Sequence, residues 1–156
     1  MLRRVRYEGS IVILSNDDTS PVDRSNLSKD YLAGNAPEDW LPLRPNNFYS
    51  ENCIDLRLKT DVTGIDTPSR EVRLSDGSRI PYDSLLLATG AEPVRLSIPG
   101  ADQPQVFTLR SLADCRAIIE HSKTAKKAVV LGASFIGLEC KIAHNFDPTP
   151  SSVPAH

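Results

Sequence analysis

The chain has 156 residues, 40% hydrophobic and 24% charged, which suffices for a domain with a sizeable core. A formal net charge of -2 and a pI near 5.9 argue against a polyanion partner, so no nucleic acid is expected. No apolar run reaches the ~18 residues of a membrane span, and the apolar run after the basic start is too short for a signal-peptide core. No membrane partner is expected, and the expected location is the cytoplasm.

Ile11-Val12-Ile13-Leu14 is a continuous, β-branched apolar run, the pattern of a strand buried in a parallel sheet. Turn residues follow, from Ser15 to Pro21. A short helix is expected with Ser25 or Asn26 as cap, running to Leu32 and stopped at Gly34. Residues 37–41 and 45–51 read as further helical turns. Residues 54–58 then alternate with period two, and residues 62–65 and 72–74 continue as short strands. Asp76-Gly77 before Ile80 signals a hairpin, because the turn needs positive φ. These strands form a small antiparallel meander inserted into an α/β protein.

Leu85-Leu86-Leu87-Ala88 is again fully apolar and is expected as a buried strand. Pro93, Pro99-Gly100 and Pro104 mark a linker. A helix is expected over residues 111–123, with Leu112, Cys115, Ile118 and Ile119 on one face. Ala128-Val129-Val130-Leu131 is a further expected strand, and a helical segment follows. Pro148, Pro150 and Pro154 forbid regular structure in the tail.

Cys53, Cys115 and Cys140 form no CxxC or CxxxxC pair, so a redox-active dithiol is not encoded here. His121, His144 and His156 are scattered, and no metal site is expected.

Chemistry enters with Gly132-Ala133-Ser134-Phe135-Ile136-Gly137, a GxSxxG variant of the dinucleotide fingerprint placed between an apolar run and a helix. The first glycine permits a tight turn. The small middle residue lets backbone approach a pyrophosphate, and the last glycine lets helix and strand pack closely. The helix N-terminus favours phosphate through its N–H groups. Gly132, Ser134, Phe135, Ile136 and Gly137 are therefore candidate cofactor-binding residues. The competing reading is a merely tight strand–helix turn.

Three motifs in order carry a more specific resemblance. Leu86-Leu87-Ala88-Thr89-Gly90-Ala91 is similar to the ATG signature of the pyridine nucleotide-disulfide oxidoreductase superfamily. Pro21-Val22-Asp23-Arg24-Ser25-Asn26-Leu27-Ser28-Lys29 resembles an element of its ferredoxin-reductase and apoptosis-inducing-factor branch. The glycine loop running into Leu138-Glu139 matches the G-x-x-F-I-G-x-E form of that branch. The resemblance implies an α/β, FAD/NAD(P)-binding, doubly wound Rossmann-like sheet with an inserted antiparallel meander. It implies a partial FAD-binding domain over residues 1–103, the beginning of an NAD(P)-binding domain over 104–146, and a disordered or aberrant tail over 147–156. It also implies FAD and NAD(P)H as cofactors, with electrons passing to a ferredoxin or Rieske-type iron–sulfur acceptor.

Site residues follow position by position from the resemblance. Asp17 stands where the family has the carboxylate that accepts the adenosine-ribose hydroxyls. Arg24 and Lys29 stand where it uses cations beside the flavin and its phosphates. Ala88, Thr89 and Gly90 occupy the FAD-facing strand end. Glu139 matches a glutamate near nicotinamide and flavin, which makes it, with Lys29, a candidate catalytic residue. Taken singly, Asp17 also reads as a turn aspartate, and Arg24, Lys29 and Glu139 as exposed helix charges.

The chain departs from the pattern in two places. The GxGxxG that holds FAD pyrophosphate would precede Leu2, and the family's next strand would follow Glu139, so the sequence reads as a fragment truncated at both ends. The expectation is that the 156-residue chain by itself does not hold FAD tightly, is catalytically impaired and is poorly soluble. The alternative to an enzyme piece is an inactive remnant or a partial nucleotide-binding module without FAD. A glutathione- or lipoamide-type disulfide reductase is disfavoured for want of the cysteine pair. A flavin monooxygenase is disfavoured by the element at residues 21–29.

Overall fold

The computed structural model describes residues 2–132 and 135–143, with side chains as far as Cys140. These residues form two compact units. One comprises the chain up to Val22 together with Pro42–Ala91, and the other Asp23–Leu41 together with the chain from Glu92 on.

In the first unit, β1 (Ile11–Leu14) pairs in parallel with β2 (Ile54–Arg57), Ile11 opposite Ile54 and Leu14 opposite Arg57. The β-branched run of β1 suits this pairing. In β2 the alternation is realised as expected: Ile54 and Leu56 are half-buried, while Asp55 and Arg57 are exposed and ion-paired at 2.8 Å. A 3-10 helix at Leu2–Val5 carries Arg3. Its guanidinium donates to the carbonyls of Asn52 (2.9 Å), Cys53 (3.0 Å) and Gly9 (2.9 Å), tying together the segments that enter both strands. A single turn, α1 (Phe48–Glu51), precedes β2.

The meander is present over residues 62–81 but without residues 54–58: β2 finds its hydrogen-bonded neighbour in β1, in parallel, and so stands in a separate sheet. β3 (Val62–Asp66), β4 (Glu71–Leu74) and β5 (Arg79–Pro81) form an antiparallel sheet in chain order. Val72 and Leu74 are its buried side chains. At the β4–β5 turn Gly77 N–H donates to Leu74 O (3.1 Å) and Leu74 N–H to Ser78 O (3.0 Å). Gly77 takes φ +85°, and the Asp76 carboxylate accepts from Ser78 N–H at 2.8 Å. Only the glycine needs positive φ, so this is a three-residue hairpin loop with a glycine bulge.

Residues 85–88 correct the sequence reading, because they form no strand. Leu85, Leu86 and Leu87 are 39%, 86% and 63% exposed. Residues 128–131 likewise form no strand, and Val129, Val130 and Leu131 are exposed. An apolar run becomes a strand only when a neighbour satisfies its N–H and C=O groups. Among the described residues neither run has such a ladder.

The second unit begins with a 3-10 helix at Arg24–Ser28 rather than the longer helix expected from Ser25 to Leu32. Its cap is Asp23, not Ser25 or Asn26: the Asp23 carboxylate accepts from Ser25 N–H (3.0 Å) and Ser25 Oγ (2.6 Å). These bonds to the serine hold the Asp23 carboxyl below its usual range. Lys29 leaves helical geometry at φ -114°, ψ -119°, and hydrogen-bonded turns carry the chain to Gly34 at φ +75°. A further 3-10 turn spans Glu38–Trp40. The expected long helix appears as α2 (Leu112–Ser122), with a reciprocal capping box between Ser111 and Asp114. The buried apolar residues of this unit are Leu27, Leu32, Leu41, Leu112 and Cys115. A third helix, α3 (Phe135–Ala143), packs with α2 against the Arg24–Ser28 helix.

Candidate active site

The Arg24–Ser28 helix is held from two sides. From α2, the Cys115 thiol donates to Leu27 O at 3.1 Å in a fully buried position. Burial, reinforced by Cys140 and Asp114, pushes that thiol up to about 11. Burial also raises the Cys140 thiol, with Glu139 adding to the effect. From α3, Glu139 reaches the same segment. Its Oε2 accepts from Ser28 Oγ at 2.5 Å, and its Oε1 lies 3.7 Å from Lys29 Nζ.

Residues 111 positions apart in the chain thus meet in one polar cluster: a nearly buried serine, a partly buried carboxylate and a half-exposed ammonium. Chemically it offers a carboxylate held by a short hydroxyl bond next to a half-exposed ammonium. Arg24 lies on the same 3-10 helix and donates Nη1–H to Arg110 O at 3.1 Å.

A second ionic group in this unit involves Glu38, Tyr31 and Arg116. Arg116 donates to both Glu38 oxygens, one bond being 3.2 Å through Nε, and Tyr31 Oη donates at 2.7 Å. Arg116 first, then Tyr31, hold the Glu38 carboxyl below its usual range. Burial first, then Glu38, raises the Tyr31 hydroxyl. This group binds the Glu38–Trp40 turn to α2 and lies on the surface.

Of the expected strand–loop–helix, the helix α3 is present and the entering strand is not among the described residues, while the two described glycines have distinct roles. Gly132 takes φ +109°, a conformation that other residues rarely adopt. A Cβ on Gly137 would fall well inside contact distance of the Gly132 carbonyl oxygen, so only glycine lets α3 close on the loop. These are the requirements of a pyrophosphate cradle at a helix N-terminus, and the residues present fit such a group. Phe135 and Ile136 open α3 with exposed side chains. Ser134 lies outside the described residues, as does the tail at 147–156.

The remaining expected site residues belong to the first unit. Asp17 follows β1 at the carboxyl edge of the parallel pair. Its carbonyl accepts from Lys59 N–H at 3.0 Å and its N–H donates to Ser15 Oγ at 3.3 Å. In open α/β sheets ligands bind at that edge. Ala88, Thr89 and Gly90 are exposed in irregular backbone, with Gly90 at φ +72°.

Sequence reasoning missed Ser28 as a site residue, although it stands beside Lys29 in the quoted element. Its place next to Lys29 was the one sequence signal; its burial is seen only in the structure.

The same grouping of elements is found in known proteins. The family model for pyridine nucleotide-disulphide oxidoreductases matches residues 1–146, and the chain belongs to that family. A rubredoxin-NAD(+) reductase of Pseudomonas putida is 37% identical over 138 residues, covering 88% of this chain and 36% of the relative. The ferredoxin–NAD(+) reductase component of a biphenyl dioxygenase system from Paraburkholderia xenovorans is 36% identical, covering 88% and 34%. The crystal structure of a ferredoxin reductase from Rhodopseudomonas palustris superposes with a TM-score of 0.86 at 35% identity, over 91% of this chain and 35% of that one.

The chain therefore spans about a third of the length of the relatives it matches. Its fold is that of the α/β, FAD/NAD(P)-linked oxidoreductases, with the antiparallel meander inserted.

Proposed function

We propose that the chain serves an FAD-dependent oxidoreductase that passes electrons from NAD(P)H through FAD to an iron–sulfur acceptor of the ferredoxin or Rieske type. The carrying observation is the convergence of Lys29 and Ser28 on Glu139, which joins the element at residues 21–29 to the glycine-loop helix. The names of the relatives support the acceptor class: rubredoxin for one and ferredoxin for another.

Gly132, Ser134, Phe135, Ile136 and Gly137 would hold the NAD(P)H pyrophosphate. Asp17, Arg24, Lys29, Ala88, Thr89 and Gly90 would hold FAD. Residues 1–103 serve the flavin part and 104–146 the nicotinamide part. When bound, the flavin supplies the two-electron to one-electron conversion. The protein contributes orientation and charge: Lys29 presents a cation beside Glu139, and Glu139 is held by Ser28. We read the protein as cytoplasmic, a compartment in which Cys53, Cys115 and Cys140 stay reduced.

A second reading is a partial nucleotide-binding module without FAD, and the exposed apolar runs at 85–88 and 128–131 favour it. One titration decides. FAD is added to the purified chain, flavin fluorescence and the visible spectrum are followed, and NADH is then added anaerobically. Stoichiometric binding with bleaching by NADH, slowed in Lys29→Met, supports the oxidoreductase. NADH binding without flavin binding supports the module.

A further inference from the structure

We infer that Ser28 is the positioning residue of this site, fixing the Glu139 carboxylate through a hydrogen bond while Lys29 remains mobile. The inference rests on the oxidoreductase reading and deepens it.

Among the described residues two contacts hold Glu139, and their magnitudes differ. The Lys29 contact is an ion pair at 3.7 Å between side chains that are 49% and 28% exposed. Pairs so open to water contribute about 0–1 kcal/mol and leave the lysine free to change rotamer. Ser28 is only 5% exposed, and its Oγ lies 2.5 Å from Glu139 Oε2. That is the short geometry of a hydroxyl bound to a charged acceptor. The hydroxyl has one proton and a second possible acceptor, Ser25 O, at 3.4 Å. The shorter, charge-assisted contact takes it.

The backbone beneath Ser28 is also fixed. Asp23 caps the 3-10 helix at one end, and the Cys115 thiol holds Leu27 O from α2. Ser28 is therefore a rigid donor on a clamped turn. Lys29, one residue later, leaves helical geometry and carries a long, half-exposed side chain. Glu139 has its position set by Ser28, and the Lys29 ammonium can turn toward a ligand without releasing the carboxylate. The same bond ties α3, the helix that the glycine loop opens, to the Arg24–Ser28 helix.

The test uses the full chain and two variants, Ser28→Ala and Ser28→Thr, the second keeping the hydroxyl. The first readout needs no cofactor: the Glu139 carboxyl-carbon NMR resonance, together with amide exchange in α3. Ser28→Ala is expected to displace the resonance and speed α3 exchange about tenfold, the loss of one hydrogen bond to a charged group. Ser28→Thr is expected to restore both. An unmoved resonance in Ser28→Ala overturns the inference, and so does an equal displacement by both variants, which would mean packing alone.

The second readout is anaerobic flavin reduction by NADH. Ser28→Ala is expected to slow it about ten- to a hundredfold with NADH affinity unchanged. Weaker NADH binding at an unchanged reduction rate overturns the inference. If the chain takes up no FAD, the oxidoreductase reading fails, and the NMR readout still decides the role of Ser28.

Discussion

The meander and the cluster around the Arg24–Ser28 helix are two small assemblies closed in opposite ways. The meander pairs strands that follow one another along the chain, joined by two short turns with positive φ at Arg70 and Gly77. Its strands are joined by short local turns, with a register shift between Val62 and Gly64, so little loop entropy opposes the pairing. The helix cluster is closed by groups 88 and 111 residues apart, through the Cys115–Leu27 and Glu139–Ser28 bonds. Closing it takes long-range contacts, which reward folding only after the intervening chain is ordered. Local closure is readable from a short window, and distant closure is not.

Four measurements can break or sharpen this comparison. The largest effect is expected in the two buried leucines, Leu74 of the meander and Leu27 of the cluster, which are 6% and 2% exposed. Leu→Ala at each should cost about 2–4 kcal/mol in denaturant melts. A loss at Leu74 with none at Leu27 would mean that the cluster is not closed in solution.

The second effect belongs to the cluster alone. The Cys115 thiol titrates near 9.0 when unfolded and at about 11 when folded, because the fold buries it. Folding then favours the protonated thiol, so this stability is complete below pH 9. It falls by about 1.4 kcal/mol per pH unit as the pH rises toward 11. Melts of the wild type and Cys115→Ala across that window should differ in slope. Parallel slopes would mean that the thiol is not buried.

The third belongs to the meander. Gly77→Ala meets no neighbour within 4 Å but must adopt φ +85°. It should cost about 1 kcal/mol by backbone strain alone, read as a shifted urea midpoint at unchanged slope. The smallest effect is expected at Leu86, which is 86% exposed. Leu86→Ala should change stability by less than about 0.5 kcal/mol, and size-exclusion chromatography should show less self-association.

Leu86 marks the limit of pattern reading. Residues 85–88 and 128–131 have the composition of buried strands, and the structure leaves both unpaired among the described residues. An apolar window states that a segment prefers burial, whereas hydrogen-bonded neighbours decide whether it becomes a strand. The 3-10 helix teaches the same lesson on a smaller scale. Asp23, Ser25 and Asn26 are all good caps, and Asp23 prevails because its carboxylate accepts both donors of Ser25.

What the sequence by itself determined was whatever a few neighbouring residues can enforce. The Asp76-Gly77 turn, the α2 helix and the need for glycine at 132 and 137 belong here, whereas β1 is a strand because β2 pairs with it. So does family membership, because its motifs are short and ordered along the chain. Tertiary structure alone decided which charges meet. Glu139 could have been a solvent-facing helix residue, and Ser28 one more polar residue in a turn. Their bond exists because α3 and the Arg24–Ser28 helix pack together, and the energy of a charged hydrogen bond depends on distance and burial, which sequence separation does not encode.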